Sequence, residues 1–296
     1  MNTVTQTPYT QTPQNHSGFG ALLRTWRQRR KRSQLDVSLD AGVSQRHLSF
    51  LESGRAKPSR EMVLQLASVL DIPLREQNLL LNSAGFSAHF ASRPLDSEAM
   101  SAVKQALDLT LQHHEPYPAV VVDRNWNLLL QNSAAERFMG LLGPMDELWQ
   151  RVDPNAAPNV MRLTFSPQGL QPLIANWPEV AGMLLSRLQR EVAAYPDQTE
   201  LAHLFSDLIN LPSVPARWQG LLSMNPALNS SPDSSLQPPE PILPLALQLN
   251  GATLRIFSMI STFGTALDIT ADELRVETFF PADEYSAQFF RLLQGT

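Results

Sequence analysis

Apolar positions in the first part of the chain recur at helical spacing in short, interrupted runs. Phe19, Leu22, Leu23 and Trp26 fall at i, i+3, i+4 and i+7, so a first helix buries one face while Arg24, Arg27, Arg29 and Arg30 mostly point elsewhere. Val37 and Ala41, then Leu48 and Leu51, carry the stripe onto two further short helices, with Val43 in the turn between them. Val63, Leu66, Ala67 and Leu70 make a fourth, and Asp71-Ile72-Pro73 opens a fifth that ends near Gly85. Beyond residue 95 the pattern changes. Residues 119–123 and 126–131 read as strands around an Arg124-Asn125 turn, with Asn132 capping a helix behind them. Residues 242–249, 252–263 and 274–280 read as three more strands, and Asn250-Gly251 is a tight hairpin signal. Between the two strand groups the spacing predicts helices over 159–165, 177–194 and 200–211. The expected fold class is therefore α+β, an all-α five-helix module followed by a sheet-containing domain with a helical insert.

Turn chemistry sharpens the first module. Ser33 caps the second helix with Asp36 three residues on, a shortened capping box, and Gly42 supplies the positive φ that ends that helix. Ser44 then caps the third helix, and Ser38 is small enough for close approach, so the second and third helices form a helix-turn-helix.

Charge adds a partner to this picture. The chain has 296 residues and a net charge of -5, yet residues 18–92 hold eleven Lys and Arg against six Asp and Glu, a net of +5, leaving 12 bases against 22 acids in the rest. A basic cluster alone reads as a solvated face. Here the bases coincide with a helix-turn-helix, which makes the face one for nucleic acid. Gln45 and Arg46 stand at the first turn of the third helix, where Gln pairs with adenine and Arg with guanine, and Ser49 follows one turn on. Gln34, Ser44, His47, Arg55 and Lys57 are the candidate phosphate contacts. His47 also reads as a cap, and Glu52 reads as the partner of an Arg on the first helix.

The remaining composition narrows the alternatives. Residues 1–17 carry no charged group and are rich in Thr, Gln, Asn and Pro, which predicts a disordered tail, and the Pro/Ser stretch 225–241 predicts a flexible loop. There is no cysteine, so disulfides and thiolate metal sites are excluded. No apolar run reaches the length of a membrane span and no leader pattern is present, so a cytoplasmic protein with no membrane partner is expected. G-x-S-x-G, H-E-x-x-H and P-loop patterns are missing, and Gly18-Phe19-Gly20 lacks both a third glycine and a preceding strand. No enzyme activity, cofactor or metal is expected. Adjacent His113 and His114 do not share a helix face and read as a helix terminus.

The residues SQLDVSLDAGVSQRHLSFLESGRAKPS resemble the XRE, or lambda-repressor-like, helix-turn-helix family. That resemblance implies a double-stranded DNA operator read by the third helix, with Gln34 bracing the Gln of that helix, in a domain over 18–92. The strand, strand, capped-helix order at 119–140 resembles the opening of a PAS domain. NVMRLTFSPQGLQPLIANWPEVAGMLLSRLQRE, HHEPYPAVVVDRNWNLLLQNSAAERF and ELRVETFFPADEYS resemble the ligand-binding domain of MmyB-like transcription regulators, covering 93–296. What this second resemblance implies is a PAS-like sensory domain with a fatty-acyl ligand such as a fatty acid. For a small apolar ligand the sequence offers Trp126, Leu128, Leu130, Trp177, Met183, Phe257, Met259, Phe263, Phe279 and Phe280 as walls, with Asn132, Asn159 and Arg162 as polar groups. The same residues also read as ordinary core, with Arg162 salt-bridged to a nearby acid. The resulting expectation is a homodimeric, ligand-responsive transcription regulator. The alternative is a DNA-binding regulator whose larger domain holds a protein partner, in the manner of an anti-repressor or antitoxin.

Overall fold

A computed structural model describes residues 18–195, 199–215, 242–249 and 251–295. The tail expected over 1–17 and the loop expected over 225–241 lie outside the described residues. The described chain divides into two compact units, one of residues up to 92 together with 267–269, the other of 93–266 and 270 onward.

In the first unit, α1 (Phe19–Arg29), α2 (Gln34–Asp40), α3 (Gln45–Glu52), α4 (Arg60–Val69) and α5 (Leu74–Ser83) follow the five predicted helices. The caps sit where the sequence puts them. Ser33 accepts from the Asp36 amide and Asp36 accepts in return from the Ser33 amide and hydroxyl, while Ser44 and Ser59 accept from the amides of His47 and Met62. Gly42 has φ +61 at the end of α2, a conformation that costs any other residue about 1 kcal/mol or more. Leu23, Val37, Leu48, Leu51, Leu66 and Leu81 are fully buried and form the centre of this unit. Gly20 has a separate reason. A Cβ there would collide with the carbonyl oxygens of Leu51 and Glu52, so its missing side chain lets α1 lie against the end of α3.

The second unit carries an antiparallel five-stranded sheet, order β2-β1-β5-β4-β3, from β1 (Ala119–Val122), β2 (Leu128–Gln131), β3 (Leu245–Leu249), β4 (Ala252–Ser261) and β5 (Arg275–Pro281). Around it lie α6 (Ser101–His113), α7 (Ser133–Gly140), α8 (Met145–Val152), α9 (Val160–Phe165), α10 (Trp177–Ala194), α11 (Thr199–Ile209), α12 (Ile269–Glu273) and α13 (Glu284–Leu293). The α+β class and the helical insert stand as expected; α8, α12 and α13 are additions to the predicted order. Alternation along β1 separates the two faces. Val120 and Val122 join the large core with α9, α10 and α11, whereas Ala119 and Val121 pack with Leu107 and Leu111 of α6.

Two local departures matter for function. The strand predicted from Trp126 starts only at Leu128, because Asp123 folds the preceding residues into a turn: its carboxylate accepts from the Asn125 and Asn127 amides and its carbonyl from that of Trp126. Trp126 is left at φ +66 and wholly buried. A register shift between Val121 and Val122 then pairs Val121 with Leu130 but Val122 with Leu128, so those two leucines pack on opposite faces and Leu129 is the extra residue.

Candidate functional site

The N-terminal end of α3 begins with Ser44, whose side chain accepts from the His47 amide and caps the helix. Gln45 and Arg46 are exposed there, while Leu48 and Leu51 anchor the opposite side in the core. His47 and Ser49 are half-buried, and Arg55 and Lys57 are exposed just past the helix. Phe50 gathers two of these cations. The Arg46 guanidinium lies 5.3 Å and that of Arg55 5.6 Å from its ring centroid, an arrangement that holds both side chains over one aromatic ring. Sequence reading passed over Phe50, although an aromatic four residues after an Arg on a helix is the signal for it.

Behind this surface, Glu52 accepts from Arg27 through Nε at 2.6 Å and Nη2 at 3.0 Å, the α1 partnership anticipated for it. That hydrogen bond chiefly raises the Arg27 pKa above its ordinary value, with burial opposing it. Gln34 Nε2 also donates to Glu52, at 2.9 Å, so this side chain is tied into the α1–α3 junction at the start of α2.

In the second unit the expected pocket residues separate. Trp126 donates from Nε1 to Glu191 at 3.1 Å, and the Arg187 and Arg275 guanidiniums lie 4.6 and 5.2 Å from its ring centroid while both pair with Glu191. Trp126, itself wholly buried, is the centre of a partly buried charged cluster. Asn132 caps α7 and accepts from the Ala119 amide, and Asn159 caps α9 and donates to the Asn125 carbonyl and Asn127 side chain. Arg162 pairs with Asp207 at 2.7 Å and with Asp153 at 3.4 Å, which is the salt-bridge alternative for it. Trp177 donates to the Ser213 carbonyl at 2.7 Å and packs edge-on against Phe165. Leu128 packs at the margin of the large core, and Leu130 and Phe263 belong to the α6 face because of the register shift and strand alternation. Met259 is exposed, and Phe280 stacks on Phe257. His114 meets the Phe279 carbonyl at 2.8 Å and Glu115 pairs with Arg137, so the His-His-Glu stretch closes α6 onto its neighbours.

Of the thirteen residues the sequence offers for a ligand, Met183, Phe257 and Phe279 border an apolar cavity of about 80 Å³. Its walls are Val160, Met161 and Thr164 of α9, Val180, Met183 and Leu184 of α10, Leu243 and Leu245 at β3, and Ile256, Phe257, Ser258, Glu277 and Phe279 on β4 and β5. Glu277 was missed. It is 8% exposed, and its signal was an acid set among Val276, Phe279 and Phe280 in the strand RVETFF. Burial pushes its carboxyl above the ordinary glutamate range, while the Ser258 hydroxyl, Arg187 and Arg275 act in the opposite sense. A wider, polar groove of about 540 Å³ runs between α6, β2 and α7, bordered by Asp108, Gln112, Glu115, Asn132 and Arg137. Its lining suits water better than an apolar ligand.

Residues 103–293 match the family described as MmyB-like transcription regulator ligand binding domain, which is more than half of the chain, and residues 23–77 match a helix-turn-helix family. The chain belongs to the MmyB-like family. It is a DNA-binding transcription regulator with a ligand-binding domain. A search of curated proteins finds no match. No helix among the described residues is long and apolar enough to cross a membrane, and no group of His, Cys, Asp and Glu among them is arranged to hold a metal ion.

Proposed function

We propose that this MmyB-like regulator acts in the cytoplasm as a homodimer, each protomer reading one half of an operator through α3. In this reading Gln45, Arg46 and Ser49 meet base edges, while Gln34, Ser44, His47, Arg55 and Lys57 hold the phosphates. The domain over 93–296 takes a small apolar ligand with an acyl chain, and the cavity beside Phe279 receives it. The acyl class rests on the resemblance to the family; the apolar character rests on the cavity walls.

One observation supports the DNA reading above the rest: a Ser-capped helix presents exposed Gln45 and Arg46 at its first turn, on the net-positive part of an otherwise acidic chain. Operator titration over a salt series tests the roles. Gln45→Ala and Arg46→Ala each cost about 1 to 3 kcal/mol on the operator and little on random DNA. Arg55→Ala and Lys57→Ala weaken all sequences alike and lower the salt slope by about one unit each. Equal losses on operator and random DNA for the first pair remove them from the base-reading set, and an unchanged slope removes the second pair from the phosphate set. Footprinting at saturation protects two half-sites about 34 Å apart if the dimer is right, and one if it is wrong.

A further inference from the structure

The cavity has a polar feature that an apolar-ligand site does not need. Glu277 lies in mid-strand on β5, on the sheet face turned to α9 and α10, with Ser258 on the neighbouring strand. Among the described residues it is the sole ionisable group that borders the cavity: Arg187 and Arg275 act on it electrostatically but are paired with Glu191, and Arg162 is paired with Asp153 and Asp207. A buried carboxyl costs stability unless its hydrogen-bonding capacity is met, and here a hydroxyl stands beside it within an apolar wall.

We propose that Glu277, assisted by Ser258, is the polar anchor of the cavity and selects a ligand whose alkyl or acyl chain ends in an uncharged hydrogen-bonding head, an alcohol or amide, in preference to a free carboxylate. This rests on the small-ligand reading given above and narrows it. A carboxyl in a dry apolar wall favours its neutral form, in which it both donates one hydrogen bond and accepts others. A hydroxyl or amide head complements both capacities. A carboxylate head does not: it accepts the Glu277 proton but has none to donate in return, and its own charge would be buried with no bordering cation to balance it. An ammonium head would require Glu277 to ionise in a site whose burial opposes that. The chain then extends along Val160, Val180 and Leu245. Seating it requires Met183, an unbranched side chain that is 45% exposed, to turn outward, since 80 Å³ is short of the roughly 300 Å³ at which ligand pockets begin.

Native mass spectrometry and thermal shift of the full-length protein at about pH 7.5, with dodecanol, dodecanamide, dodecanoate and dodecylamine, decide the matter. The expected result is that dodecanol and dodecanamide bind about tenfold or more tighter than dodecanoate and dodecylamine. Glu277→Gln, which keeps a donor and an acceptor, retains dodecanol and narrows its margin over dodecanoate, whereas Glu277→Leu weakens dodecanol about tenfold. Met183→Trp, at a partly exposed position, blocks all binding if the chain occupies this cavity. Tightest binding of dodecanoate, with no change in Glu277→Gln, overturns the anchor while leaving a small-molecule sensor in place. Tightest binding of dodecylamine overturns the uncharged head. Binding of the alcohol that Met183→Trp leaves intact places the ligand elsewhere and overturns the site. Failure of every compound to bind removes the acyl-chain reading together with this one.

Discussion

Gly20 and Glu277 are single residues whose identity follows from where the backbone puts them. At Gly20 the obstacle to any side chain is backbone, the carbonyls of Leu51 and Glu52, which cannot rotate aside as a side chain would. Gly20→Ala therefore separates α1 from α3 and destabilises the first unit by about 1 to 3 kcal/mol, despite the better helix propensity of alanine. Chemical denaturation measures this, and a stabilised variant would show that α1 moves aside without cost. Glu277 makes a prediction of opposite kind. Its folded pKa is raised, chiefly by burial, so its contribution is fully present below the ordinary glutamate value of about 4.3 and is lost as pH rises through the folded value. The groups that oppose the shift, Ser258, Arg187 and Arg275, reduce this loss without reversing its sign. Compared with Glu277→Gln, wild type loses melting temperature as pH rises toward 8; parallel profiles would mean that the carboxyl does not titrate between folded and unfolded states.

Among the elements, α3 shows how one aromatic organises a reading surface. Phe50 lies under both Arg46 and Arg55, one assigned to bases and the other to phosphate. Phe50→Leu keeps the apolar bulk and removes the π face, so both guanidiniums regain freedom that operator binding must then restrict. The expected loss is about 1 kcal/mol on operator DNA with an unchanged salt slope, because the charges remain. A changed slope would indicate that the loop carrying Arg55 had moved. The helices of this unit were legible because caps, glycine turn and apolar stripe agree at every step, as at Ser33, Gly42 and Ser44. In the second unit the strands were legible and the pocket was not. Trp126 and Leu130 look like wall residues by alternation, but an Asp123 turn removes one from the strand and a register shift sends the other to the α6 face. Arg162 looks like a ligand's counter-ion, but its partners, Asp153 and Asp207, stand nine and forty-five positions away and their approach depends on tertiary packing. Long-range pairing and a one-residue bulge leave little trace in periodicity.

At the scale of the whole molecule, the central claim is that one chain joins an operator reader to a small-molecule sensor, so that occupancy of one changes affinity at the other. Thermodynamic reciprocity governs such a device: a ligand alters operator affinity only to the extent that it distinguishes the DNA-competent state from the incompetent one. Burial of an alkyl chain supplies about 0.8 kcal/mol per methylene, so affinity climbs with chain length until the cavity, opened by Met183, is full, and then levels or falls. The most direct measurement is operator titration of the full-length protein with and without a chain-length series of alcohols and acids, run beside thermal shift. The account predicts a length optimum shared by both readouts and a coupling of about 1 to 3 kcal/mol, with operator DNA changing ligand affinity by the same factor. If no chain length moves either the melting temperature or operator affinity, the sensor claim is contradicted and the protein-partner alternative takes its place.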